Sequence, residues 1–157
     1  MPLLHTLLHL PARIAYLALS ITALGLLGFG LYLQHGVGLE PCPMCIMQRY
    51  AFLVVALLAL LGGVHGPKRR GSRIYAALIG VAALTGASIA ARQSWMQLYP
   101  PAIPECGPGL EFMLGSFPLA EALPMIFRGA GDCVAVDWTF LGLSIANWSL
   151  LTFTATI

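Results

Sequence analysis

Charge is scarce in this chain. Eight basic and six acidic residues among 157, against 59% hydrophobic residues, exclude an ordinary soluble domain, in which about a quarter of residues are charged. A net charge of +2 and the lack of a basic, aromatic surface exclude a nucleic-acid binder. Cofactor signatures are missing too. There is no G-x-G-x-x-G fingerprint, and the single C-x-x-C is followed by Ile46 rather than the His of a c-type haem site. His5, His9, His35 and His65 are scattered near helix ends, so no metal site is expected.

What the chain has is four long apolar runs, about 14–33, 46–64, 74–91 and 140–157. Each is about 18–20 residues, the length that crosses a hydrocarbon core of about 30 Å. The first is longer than a signal-peptide core and lacks a clear small-x-small cleavage site before the next motif. The expected fold is therefore an all-α membrane protein, a single integral domain over 1–157. Its four transmembrane helices form an antiparallel bundle, with a long extracytoplasmic loop between helices 3 and 4.

Orientation follows from the basic residues. Lys68, Arg69, Arg70 and Arg73 fill the loop between helices 2 and 3, and Arg13 flanks helix 1 on the same side. The opposite side carries Arg49, Arg92 and Arg128 with all six acidic residues. Both termini and the basic loop are expected in the cytoplasm. The other two loops face outward, into the periplasm of a Gram-negative cell. All four cysteines then lie on the outward side, where disulfides persist.

Cys42-Pro43-Met44-Cys45 stands where the first outward loop turns into helix 2. A disulfide closing so short a loop restrains little chain entropy, so it is a poor staple. Two thiols at a helix N-terminus, where partial positive charge favours a thiolate, suit switching between dithiol and disulfide. Cys106 and Cys133 sit in Gly-rich and Pro-rich stretches of the second outward loop. A bridge between them would stabilise by roughly 3–4 kcal/mol in the chain-entropy model, so a structural role competes with a redox one. Their exposed setting tips the reading toward access by a partner protein. The apolar stretch 112–127 between them, with Pro118 and Pro124, reads as a segment on the membrane surface or a lid packed on the bundle.

Arg49 lies four residues after Cys45 on the same helix face. It is the one charge inside an apolar run and sits on the side where the charge rule disfavours Arg. An ionisable residue there marks a functional site unless it merely snorkels to headgroups. Electrons entering two cysteine pairs also need a sink. With no soluble domain to hold a flavin, a lipid-soluble quinone is the natural acceptor for a pair at the lipid boundary. A periplasmic thiol oxidase near −120 mV requires an acceptor at least as oxidising.

Pro41-Cys42-Pro43-Met44-Cys45-Ile46-Met47-Gln48-Arg49, Gln97-Leu98-Tyr99-Pro100 and Gly131-Asp132-Cys133, continuing through Trp138 to Ser144, resemble the DsbB family of bacterial inner-membrane disulfide-bond formation proteins. The likeness spans nearly the whole chain. It implies a quinone-dependent protein-disulfide oxidoreductase that reoxidises a DsbA-like, thioredoxin-fold partner and reduces ubiquinone or menaquinone. By the same resemblance, Cys106 takes the attack of the partner and Cys133 exchanges with Cys42. Cys45 meets the quinone as a thiolate, with Arg49 beside the ring. The end of helix 3 often carries His in this family, where this chain has Gln93. The competing readings are a small metal-binding or metal-transport membrane protein using Cys-Pro-Met-Cys as a soft-ligand site, and a structural subunit with stabilising disulfides.

Overall fold

The computed structural model describes residues 12–100, 115–116, 118, 133–136 and 138–157. Within them the chain is mostly helical. Three helices, α1 (Ala12–His35), α2 (Pro43–His65) and α3 (Arg69–Leu98), are long and apolar enough to cross a membrane. A fourth, α4 (Ile145–Thr156), follows a minimal hairpin of β1 (Thr139–Phe140) and β2 (Leu143–Ser144).

The helix boundaries have local causes. Cys42, in an extended conformation, caps α2, its sulfur accepting from the Cys45 amide at 3.3 Å. Pro43 follows, where its missing N–H costs nothing. α2 ends on Gly66 at φ 57°, whose N–H bonds the Gly62 carbonyl, with Pro67 next to bar continuation. α3 is 30 residues long, about 45 Å, and outruns the expected 74–91 at both ends. The polar residues after Ala91 do not stop it, because Gln93, Ser94 and Met96 are buried. It stops at Tyr99, where the following Pro100 disfavours helical backbone.

Helix 4 requires a correction. The apolar run from Phe140 does not begin a helix. Leu141 and Gly142 take φ 52° and 78°, the two left-handed residues of a type I′ turn. This turn pairs Thr139 with Ser144 and Phe140 with Leu143. Ser144 then caps α4, accepting from the Asn147 amide. Twelve helical residues rise only about 18 Å.

The helices meet through small residues and rings. Ser20 of α1 donates to the Ala56 carbonyl of α2 at 3.0 Å. Phe52 of α2 stacks on Phe153 of α4 with ring centroids 4.1 Å apart. Phe153 lies against Gly86 of α3, where an added Cβ would meet the ring at 2.5 Å. An apolar core built from Tyr16, Phe52, Val55, Ile79, Ala83 and Phe153 fills the middle. A second, sulfur-rich cluster of Cys42, Met44, Ile89, Met96 and Cys133 gathers around the start of α2.

Candidate functional site

Three of the four cysteines, Cys42, Cys45 and Cys133, converge at that start. Cys42 and Cys133 are buried, and Cys45 is half-buried. The Cys42 thiol donates to the Cys45 sulfur at 2.9 Å, and Cys42 is also hydrogen-bonded to Cys133. Cys42 therefore stands between the other two. The hydrogen bonds to Cys133 and to Cys45, together with burial, push the Cys42 thiol well above the ordinary cysteine range. Cys106, with the stretch 112–127, lies outside the described residues.

Arg49 turns away from bulk water toward α1. Its guanidinium donates to the Gly30 carbonyl at 3.0 Å and to Gln34 Oε1. The guanidinium packs closely on Gly30, where an added Cβ would meet Arg49 Nε at an ordinary van der Waals distance of 3.6 Å. A guanidinium has five N–H donors, so two bonds to α1 leave others for a ligand. Arg49 and Cys45 line one cleft with Leu33, Phe52, Gln93 and Trp138. A more apolar groove adjoins it, walled by Leu26, Phe29, Phe140 and Trp148 and sharing Gly30, Phe52 and Trp138 with the cleft.

Sequence reasoning gave no role to Gln48 and noted Gln93 only as standing where the family often carries His, yet both lie at the heart of this site. Gln48 and Gln93 are each only 3% exposed. Gln48 Nε2 donates to Gln93 Oε1 at 2.6 Å. Gln93 Nε2 donates to the Cys42 sulfur at 3.3 Å and to the Cys45 sulfur at 3.2 Å. For Gln48 the available signal was an amide within an apolar run, which must find a polar partner when lipid replaces water. Gln97, on the same helix, accepts from Ser144 at 2.7 Å and ties α3 to the hairpin. Among the described residues, no group of three or more His, Cys, Asp or Glu is arranged to hold a metal ion.

Comparison with known proteins agrees with these features. The family described as disulfide bond formation protein DsbB matches residues 12–157. A disulfide bond formation protein B of Aromatoleum aromaticum is 70% identical over 142 residues, 90% of this chain and 86% of the relative. One from an Azoarcus species is 67% identical over 143 residues, 91% of this chain and 86% of the relative. One from Hahella chejuensis is 47% identical over 142 residues, again 90% and 86%. With three membrane-capable helices, clustered thiols and this breadth of similarity, the chain belongs to the DsbB family of disulfide bond formation proteins.

Proposed function

We propose that this membrane disulfide oxidoreductase reoxidises a DsbA-like, thioredoxin-fold protein in the periplasm and delivers the electrons to ubiquinone or menaquinone. The four helices form an antiparallel bundle in the bacterial inner membrane, one integral domain with both termini cytoplasmic and the cysteines facing the periplasm. The observation that carries the reading is the position of Cys42, bonded to Cys45 on one side and Cys133 on the other.

That order fits a relay of disulfide exchanges. A partner thiolate attacks Cys106 of the Cys106–Cys133 bridge, forming a mixed disulfide and releasing the Cys133 thiolate. Cys133 attacks Cys42 of the Cys42–Cys45 bridge, forming Cys42–Cys133 and releasing Cys45 as thiolate. The second partner thiol frees Cys106 and leaves with the new disulfide. Cys106 then attacks Cys133, restoring the distal bridge and leaving Cys42 and Cys45 as the dithiol. A quinone held there would supply the oxidant, taking two electrons and two protons as Cys42 and Cys45 return to the disulfide. The donor set suits such a group. Arg49 and the Cys45 sulfur line one cleft, so the guanidinium can hold a quinone oxygen near that sulfur. The adjoining apolar groove suits an isoprenoid chain.

The test is the redox state of the four thiols after mixing with reduced partner. With quinone present, the partner should be oxidised over many turnovers. Without it, oxidation should stop once the two bridges are consumed. Equal turnover without quinone would reject the acceptor. Cys106→Ser should abolish reaction with the partner yet leave Cys42 and Cys45 able to react with quinone. Partner oxidation at the wild-type rate in that variant would remove Cys106 as the entry point.

A further inference from the structure

An amide can present either face to a sulfur, and only one face helps a thiolate. The N–H end donates to it, whereas the carbonyl end sets lone pairs against lone pairs. In Gln93 the choice is made by a neighbour. Gln48 Nε2 donates to Gln93 Oε1 at 2.6 Å, which draws the carbonyl end toward Gln48 and leaves it only a long contact with the Cys45 thiol, at 3.7 Å. The Nε2 end then reaches both sulfurs, at 3.3 Å from Cys42 and 3.2 Å from Cys45. Gln48 lies three residues after Cys45 on α2, so one helix carries the thiol and the group that orients its donor. Gln93 comes from α3. Burying two amides is unfavourable unless they are bonded, and here their bonds end on the sulfurs.

We propose that Gln93 is a catalytic residue of the Cys42–Cys45 pair, its side-chain amide donating to both sulfurs, and that Gln48 is the positioning residue that turns the donor end toward them. The inference rests on the reading of this pair as the redox centre and deepens it. When a sulfur carries negative charge, the Gln93 bonds become charge-assisted and gain strength. An amide does not titrate, so the donor is present at every pH at which the pair works. The other titratable groups lining this site among the described residues are Cys133, Arg49 and Glu40. The substitutions below leave all three in place.

The test uses the full chain, purified in detergent and reduced. Cys45 is alkylated with iodoacetamide across a pH series, with the modified residue identified by mass spectrometry. Gln93→Met keeps the length of the side chain and removes the donor. It should slow Cys45 alkylation at pH 7 by about tenfold, the worth of one hydrogen bond to a charged group, and move the rate profile to higher pH. Gln48→Met leaves the Gln93 amide in place without its orienting partner. It should slow the reaction by about two- to threefold, because the donor end faces the sulfurs only part of the time. Helical circular dichroism and thermal melting report folding. If Gln93→Met does not fold, the Gln48→Met profile decides alone. Wild-type rates and profiles in the folded variants, with only melting altered, would reduce the amide pair to packing and overturn the proposal. The two readings fail separately. Wild-type protein that cannot oxidise a partner with quinone overturns the functional reading, whereas an active wild type with unchanged variant alkylation overturns only the amide assignment.

Discussion

Arg49 shows how one side chain is shaped by what surrounds it. A lone guanidinium in an apolar helix is costly unless its donors are used. Gly30 and Gln34 of α1 use two of them, which holds the planar fork at the wall of the cleft that Cys45 also lines. Arg49→Gln should therefore slow quinone reduction by about 100-fold, the scale for losing one oriented donor at a reacting oxygen. Lys should restore only part, because a compact ammonium lacks the fork. Exchange between the distal cysteines and the partner should be nearly unchanged. Measuring the two half-reactions separately checks this, and an unaltered quinone rate and affinity would leave Arg49 an interfacial anchor.

Cys42 allows a second test at the same scale. Its thiol is held up first by the bond to Cys133, then by Cys45 and by burial. The thiolate is the reactive form, so Cys42 should stay protonated and alkylate slowly as pH rises through the ordinary thiol range near about 8.5. Cys133→Ala removes the first of these causes. Alkylation of Cys42 at pH 8 should then speed up by about tenfold for each unit its pKa falls. A rate that does not change would mean that Cys45 and burial, without Cys133, protect Cys42.

At the scale of elements, the start of α2 organises the site. Its cap, its proline and both thiols fall within Cys42–Cys45, and Gln48 and Arg49 follow within the next turn. This much is legible in a single stretch of sequence, because capping and i,i+4 spacing are local rules. The partners of these residues are not local. Gln93 reaches the thiols only because α3 continues past Ala91, and an apolar run cannot signal a helix whose last turns carry buried Gln and Ser. The hairpin before α4 escaped for the opposite reason. Phe140 to Leu143 reads as apolar helix, and only the pair of positive φ angles at Leu141 and Gly142 reveals the turn. Packing between elements is less visible still. Gly86 looks like a weak point in α3, yet it is the seat for Phe153, which stacks in turn on Phe52. Gly86→Ala should force that ring aside and destabilise the folded chain by about 1–3 kcal/mol, as overpacking does. This would be measured by thermal or denaturant unfolding in detergent. A gain in stability, expected of Ala in an open helix position, would show that the ring yields freely.

Across the whole molecule, polarity is separated along the helices. The thiols, the amide pair and Arg49 lie where α2 begins and α3 nears its end. The basic residues Lys68, Arg69, Arg70 and Arg73 lie where α2 ends and α3 begins, and all four are exposed. Between these ends the outward faces are apolar, with Ile21, Leu57, Val64, Val81 and Leu84 exposed, as suits side chains that meet lipid. Burying cations in the acyl region costs several kcal/mol each, so the basic end must stay at one surface and the thiol end at the other. In the proposed topology, which rests on the positive-inside bias, the basic end lies in the cytoplasm. Fusions of a reporter active only in the periplasm and of one active only in the cytoplasm, placed after Gly38 and after Arg70, test this directly. The Gly38 fusion should score as periplasmic and the Arg70 fusion as cytoplasmic. Replacing Lys68, Arg69, Arg70 and Arg73 together with Gln should weaken the preference, because the bias resides in those four charges. The inverse pattern at both sites would put the thiols in the reducing compartment, where a disulfide-forming relay could not persist. The same signal at both sites would show that α2 does not cross the membrane, and the cleft beside Cys45 would then need a route for its oxidant other than the bilayer.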